Sequence, residues 1–342
     1  MKKRESFHIF EYLVFGAITV AVFLLCLCIG SVNIPVRETM RVIGATISGS
    51  TVPAGISAPI IVAVRLPRVI CAALSGAALA LCGAAMQGLL RNPLADGSTL
   101  GVSTGAALGA TLAIAFNIRI PFIPGGGTMV VAIAFAFLTL ILILSLTYKL
   151  DYSLSTNTII LIGVIFSMFA GSMISLVTSF AGDKVNSIVF WTMGSLSGSS
   201  YISAAILAVT LLICSAVLFR YCRELNAFAI GEDNARHVGI DIKKVKLTVL
   251  ITVSVLIGVC VSIGGSIGFA GLVIPHMTRM ITGPNHKRLV PASVFSGAVF
   301  LMLADLVSRV VLRPLELPIG VVTSIIGSIM FIFIFYSTRK VR

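Results

Sequence analysis

The stretch RELNAFAIGEDNARHVGIDIKKVK, Arg223 to Lys246, is the longest run of charge in the chain, and long apolar spans flank it on both sides. A soluble protein carries charge on about a quarter of its residues. This chain of 342 residues carries 11% charged and 58% hydrophobic residues. The charged stretch is therefore the exception to a membrane pattern, and large soluble domains are excluded.

Outward from it, runs of the about 20 mostly apolar residues that a spanning helix needs recur from end to end. Ten spans are read: Tyr12–Gly30, Val69–Leu90, Thr99–Phe116, Thr128–Tyr148, Thr158–Phe180, Tyr201–Tyr221, Leu247–Gly264, Ile267–Ile281, Leu289–Val311 and Ile319–Tyr336. They predict an all-α, polytopic membrane protein forming a single domain over residues 1–342. The third and eighth spans are short and glycine-rich or broken by Pro275, so they are expected to be tilted or discontinuous. Lys2, Lys3 and Arg4 precede the first span like the start of a secretory signal, but no small-residue cleavage site follows, and a retained first helix is expected.

An even number of spans puts both termini on one side. With this count, 17 of the 25 Lys and Arg residues fall on the terminal side, among them the six from Arg220 to Lys246, and 8 fall on the other. Positive residues concentrate in cytoplasmic joints, so both termini and the charged stretch are expected in the cytoplasm. The same distribution accounts for the net charge of +13 without nucleic acid. In the outer joints, Pro35 with Val36, Met40, Val42 and Ile43 predicts a short surface helix, and Ser187 to Leu196 a second, with Trp191 as an interface anchor.

Chemistry is sparse. All seven cysteines lie in apolar spans or at their ends without metal-ligand spacing, and read as small buried hydrophobes. His276, beside Pro275, reads as structural; His8, His237 and His286 form no cluster, and no metal site is expected. Asp305 has Arg309 at i+4, a spacing that suits a local ion pair near the outer end of the ninth span, with helix capping the other role open to it. An ion-coupled carrier or a membrane enzyme would place ionisable groups near the bilayer midplane, and almost none occur here. No Gly-Lys pair exists anywhere in the chain, so the phosphate-binding loop Gly-x-x-x-x-Gly-Lys-Ser/Thr is absent and a separate chain would have to hydrolyse any ATP.

Several stretches resemble one family over nearly the whole chain: the membrane permeases of ABC importers for ferric siderophores, haem and cobalamin. They are Arg65-Leu66-Pro67-Arg68; Gly76 to Gln87 running into Arg91-Asn92-Pro93-Leu94-Ala95-Asp96; Gly268-Phe269-Ala270-Gly271-Leu272-Val273-Ile274-Pro275-His276; and Glu316-Leu317-Pro318-Ile319-Gly320. Each is short, and their order and spacing carry the resemblance. Gly97, and Gly327-Ser328-Ile329, depart from it where the family commonly has proline, which predicts a looser turn and a straighter last helix.

The resemblance implies a non-enzymatic transport subunit in the bacterial cell membrane. It would pair with a second permease copy or paralogue, with two ATPase subunits and with an extracytoplasmic substrate-binding protein. It would bind no cofactor itself, since ATP and magnesium belong to the ATPase. A ferric siderophore is the expected cargo, haem or cobalamin the alternatives, and an ion-coupled secondary transporter the rival of a different class. Residues 223–246 resemble the family's cytoplasmic coupling segment of two short helices, which would place Ala229, Gly231, Glu232, Asp233, Arg236, His237 and Gly239 against the ATPase. Gly231 and Gly239 suit breaks, and the acidic start and basic end of the piece between them suit a helix dipole. The resemblance further implies that Arg65, Arg68 and Arg309 face outward to dock the binding protein. It makes Asn92, Leu94, Thr156 and Asn157 gate positions, with helix capping the other role open to Thr156 and Asn157.

Overall fold

The computed structural model describes residues 7–48, 57–120, 125–152 and 154–340. Fourteen helices are described: α1 (Ile9–Cys28), α2 (Val36–Ser48), α3 (Ser57–Leu89), α4 (Val102–Ala115), α5 (Gly126–Leu150), α6 (Thr156–Ser179), α7 (Val185–Thr192), α8 (Tyr201–Arg220), α9 (Cys222–Phe228), α10 (Glu232–His237), α11 (Ile242–Gly264), α12 (Ala270–Thr282), α13 (His286–Val310) and α14 (Ile319–Lys340). Each of the ten spans read from the sequence coincides with one of them. Among the described residues, seven are long and apolar enough to cross a membrane by length and composition, whereas α4 and α12 have only 14 and 13 residues. Strands are absent among the described residues.

Helix α3 is the centre of the bundle and packs against α8, α11, α12 and α13. It begins twelve residues before the predicted span, and residues 60–65 are wound as a π-helix. From Leu66 to Leu89 its sequence is mostly alanine, glycine, serine and cysteine, whereas the helices on the outside, α5 and α6, are rich in leucine, isoleucine and phenylalanine. This inversion follows from the solvent. Lipid tails are as apolar as leucine, so burying large side chains brings little gain, and helices associate where small residues let backbones approach. At Gly76 a Cβ would collide with the carbonyl of Gly297 on α13, and at Gly83 with the carbonyl of Gly271 on α12.

The third and eighth spans are half-helices. Gly101, with φ at 74°, starts α4 against Gly163 and Ser167, the middle of α6. Phe269, with φ at 64°, starts α12, whose Gly271 faces Leu79 and Gly83, near the middle of the Val69–Leu90 span within α3. At 14 and 13 residues, each is about 20 Å long, short of the about 30 Å of hydrocarbon. Gly97–Leu100, where the family's proline is missing, is a 3-10 turn leading into α4, and α14 runs unbroken through Gly327, which lies against Phe269.

Joints assigned to one side meet in space. At one end, Tyr201 donates to the Val62 carbonyl at 2.5 Å, Ser195 to that of Gly264 at 2.9 Å and Ile319 to that of Gly194 at 3.1 Å. At the other, Asn226 donates to Asn285 at 2.8 Å and Arg288 pairs with Glu11. Both surface helices form: α2 tucks Val42 against Ala58 and Ile61, and α7 covers Val185–Thr192, a little earlier than predicted, with Trp191 half-buried against the core.

Candidate functional site: the two ends of the bundle

At the end holding the charged stretch, the chain leaves α8 and forms α9, a turn, α10 and another turn. Gly231 has φ at 129° and Gly239 at 84°, backbones that other residues rarely adopt, and they bound α10 on both sides. Glu232 and Asp233 occupy its first turn and Arg236 and His237 its last, the order the helix dipole favours. Ala235 is buried and anchors the helix, while Asp233, Arg236, His237 and Val238 are exposed, as are Ala229 and Ile230 just before it. A short helix with one buried contact and an exposed polar face stands out from this end.

Glu232 differs from its neighbours, because its carboxylate turns inward to Lys246 Nζ at 2.8 Å. Lys246 is fully buried and also donates to the Leu154 carbonyl at 2.9 Å. Thr156 Oγ1 lies 3.5 Å from the other oxygen of Glu232. Neither Thr156 nor Asn157 caps α6: Ser155 does, accepting from the Thr158 amide, and Asp151 accepts from the Ser155 amide at 3.1 Å. Capping is thereby removed as the account of Thr156 and Asn157. Asn157 is exposed, and so is Leu94, whose amide donates to Asn92 Oδ1 at 2.9 Å.

At the opposite end, the expectation of exposed arginines is corrected. Arg65, Arg68 and Arg309 keep 4%, 6% and 2% of their surface. Arg65 donates to the carbonyls of Leu27 at 3.1 Å, Cys28 at 3.3 Å and Val32; Arg309 donates to those of Cys26 and Ile29, both at 3.3 Å. These carbonyls belong to the last turn of α1 and the residues after it. The end of a helix leaves carbonyls without partners, and in a low-dielectric setting an arginine with five N–H donors satisfies several at once. Gly30 leaves the space that the Arg65 guanidinium fills.

Asp305 completes this cluster. It has no exposed surface, pairs with Arg68 Nε at 2.8 Å, and holds Arg309 Nε 2.9 Å from its second oxygen, an ion pair without hydrogen-bond alignment. Arg68 also reaches Glu316 at 2.8 Å. The i+4 spacing anticipated the pair with Arg309 but not Arg68, 237 residues from Asp305, nor the bond by which Arg68 reaches Glu316, 248 residues from it. Lys246 also escaped notice as a site residue, although a signal existed. It falls on the apolar stripe Ile242, Val245, Val249 and Val253 of α11, all buried.

Comparison with known proteins agrees with this architecture. The model of the FecCD transport family matches residues 18–337. The Uncharacterized ABC transporter permease protein YvrB of Bacillus subtilis (strain 168) is 40% identical over 324 residues, 94% of this chain and 91% of that protein. The Cobalamin import system permease protein BtuC of Halobacterium salinarum is 36% identical over 82% of this chain and 73% of its own length. Other relatives are named for hemin, molybdate and iron chelatin transport. A solved structure described as an inward-facing conformation of a metal-chelate type ABC transporter superposes with a TM-score of 0.83 at 32% identity, covering 96% of this chain and all of that one.

Proposed function

This chain belongs to the FecCD transport family and is the permease subunit of an ABC importer, a multi-pass membrane protein, and from that premise we propose that its cargo is a ferric siderophore. The observation that carries the proposal is the likeness over 96% of the chain to a metal-chelate type transporter. The relatives named for cobalamin and hemin mark the competing cargoes. In a strain deleted for this chain, uptake of ferric siderophore is expected to fall to background while haem and cobalamin uptake continue. Loss of haem or cobalamin uptake with siderophore uptake intact overturns the assignment.

In this proposal two permease subunits enclose the path, two ATPase subunits lie on the cytoplasmic side, and a substrate-binding protein delivers cargo from outside. Both termini and α10 face the cytoplasm, supported by the excess of Lys and Arg at that end. The exposed face of α10, with Asp233, Arg236 and His237, docks on the ATPase, and the positive-φ breaks at Gly231 and Gly239 let it tilt as a unit. ATP binding then moves α10 and opens or closes the constriction formed by Asn92, Leu94, Thr156 and Asn157. Small polar side chains beside an apolar one suit a constriction that dehydrates and parts again.

Reversing charge on the exposed face, Asp233→Lys with Arg236→Glu, is expected to leave the subunit folded and to uncouple ATP hydrolysis from uptake, and so is deletion of Gly231. Full uptake by both variants overturns the docking role. On the outer face, docking through Arg68 proceeds in this proposal by exchange. Glu316, whose side chain keeps 32% of its surface, is the internal carboxylate that an acidic residue of the binding protein would replace.

A further inference from the structure

Lys246 is fully buried at the inner end of α11, where a cation occupies a position that the apolar stripe of that helix reserves for a hydrophobe. A buried ammonium is retained only with partners close by, because stripping it of water costs several kcal/mol. Its two partners belong to different parts of the chain. Glu232 opens α10, and the Leu154 carbonyl lies in the joint leading into α6. That joint is itself tightly built. Leu154 is buried with φ at 53°, Asp151 accepts from the Ser155 amide at 3.1 Å and from the Thr158 hydroxyl at 3.2 Å, and Thr156 leans on Glu232. Among the described residues, Glu232 is also the member of α10 whose side chain forms a hydrogen bond or ion pair with another helix; the side-chain bond of Asn234 is local, to Ile230.

We propose that Lys246 is a positioning residue that makes α10 and the inner end of α6 move together. If α10 swings on its glycine breaks, Glu232 goes with it, and Lys246 must either follow or bury an unpaired charge. Because Nζ also holds Leu154, the same displacement pulls the start of α6, where Thr156 and Asn157 lie. Movement delivered to the exposed face of α10 thus reaches the constriction through one ammonium group. This rests on the proposal that α10 docks on the ATPase, and adds the internal step by which docking reaches the path.

The test uses the assembled permease–ATPase complex in nanodiscs, with nitroxide-bearing non-natural residues that leave the seven native cysteines in place. One label pair joins Val238, at the exposed end of α10, to Phe116 at the outer end; a second joins Leu161 on α6 to Phe116. In the wild type both distances are expected to shift between the nucleotide-free state and the state trapped with ATP and vanadate. In Lys246→Met the Val238 distance is expected to keep its shift and the Leu161 distance to lose it, with Lys246→Arg restoring the Leu161 shift.

A Leu161 shift unchanged in Lys246→Met, or unrestored in Lys246→Arg, overturns the proposal and leaves the docking of α10 standing. Absence of any Val238 shift in the wild type instead overturns the docking of α10. Should Lys246→Met fail to assemble, Glu232→Gln reads the same quantity, since it keeps the bond to Leu154 while weakening the pull from α10.

Discussion

Asp305→Ala is expected to strip the purified subunit of most of its stability, with early aggregation on heating in detergent. The carboxylate has no exposed surface and stands between Arg68 and Arg309, at 2.8 and 2.9 Å. Removing one partner of a buried ion cluster leaves uncompensated charge and costs about 3–5 kcal/mol, a large part of the about 5–15 kcal/mol that holds a typical fold together. Here the loss spreads. Arg309 also donates to the last carbonyls of α1 and Arg68 holds Glu316, so freeing either guanidinium disturbs the seat of α1 and the approach to α14. Asp305→Asn keeps the shape and one acceptor and is expected to cost less. Thermal melts in the order wild type, Asp305→Asn, Asp305→Ala check this, and an Asp305→Ala variant that melts with the wild type would refute the central place of the carboxylate.

Gly83→Leu is expected to prevent assembly of the bundle altogether. A side chain at this position points into the backbone of Gly271, so no rotamer relieves the clash and α3 and α12 must separate. Overpacking a well-filled core costs about 1–3 kcal/mol when side chains can shift, and more is expected where the obstacle is main chain. Gly83→Ala already meets the same carbonyl and should lower the melting point clearly. Gly16→Ala, on α1 with open space around it, should be neutral or slightly stabilising, because alanine is the better helix former by about 1 kcal/mol. The contrast separates a packing requirement from a general intolerance of alanine in spans. Equal melts for Gly83→Ala and Gly16→Ala would remove the backbone contact as the reason for glycine in α3.

Residues 223–246 show where the sequence was sufficient. Gly231 and Gly239 announced breaks, and both have positive φ; the acidic-then-basic order between them announced a helix, and α10 occupies Glu232–His237. These are local decisions, made by backbone conformations that glycine alone reaches easily and by charges within one turn of a helix end. The half-helices were equally legible, since the shortness of the third and eighth spans follows from where apolar runs stop.

The arginines show where it was insufficient. Arg65, Arg68 and Arg309 stand at the ends of apolar spans, where charged groups usually reach for water, and the sequence favoured exposure. The structure instead gives Arg68 partners 237 and 248 residues away and Arg309 carbonyls 280 and 283 residues away. Lys246 is the same case at the other end, with Leu154 92 residues before it.

Sequence alone determined that this chain crosses the membrane repeatedly, which stretches form its spans, and which joints share a side. Each segment settles these questions for itself through the cost of placing its own backbone and charges in lipid. Tertiary structure alone decided which charges are buried, which acceptors they satisfy, and that Glu232 faces Lys246. Those outcomes depend on which helix ends the small-residue contacts of α3 bring together, and a buried charge selects its partner only after the packing has chosen its neighbours.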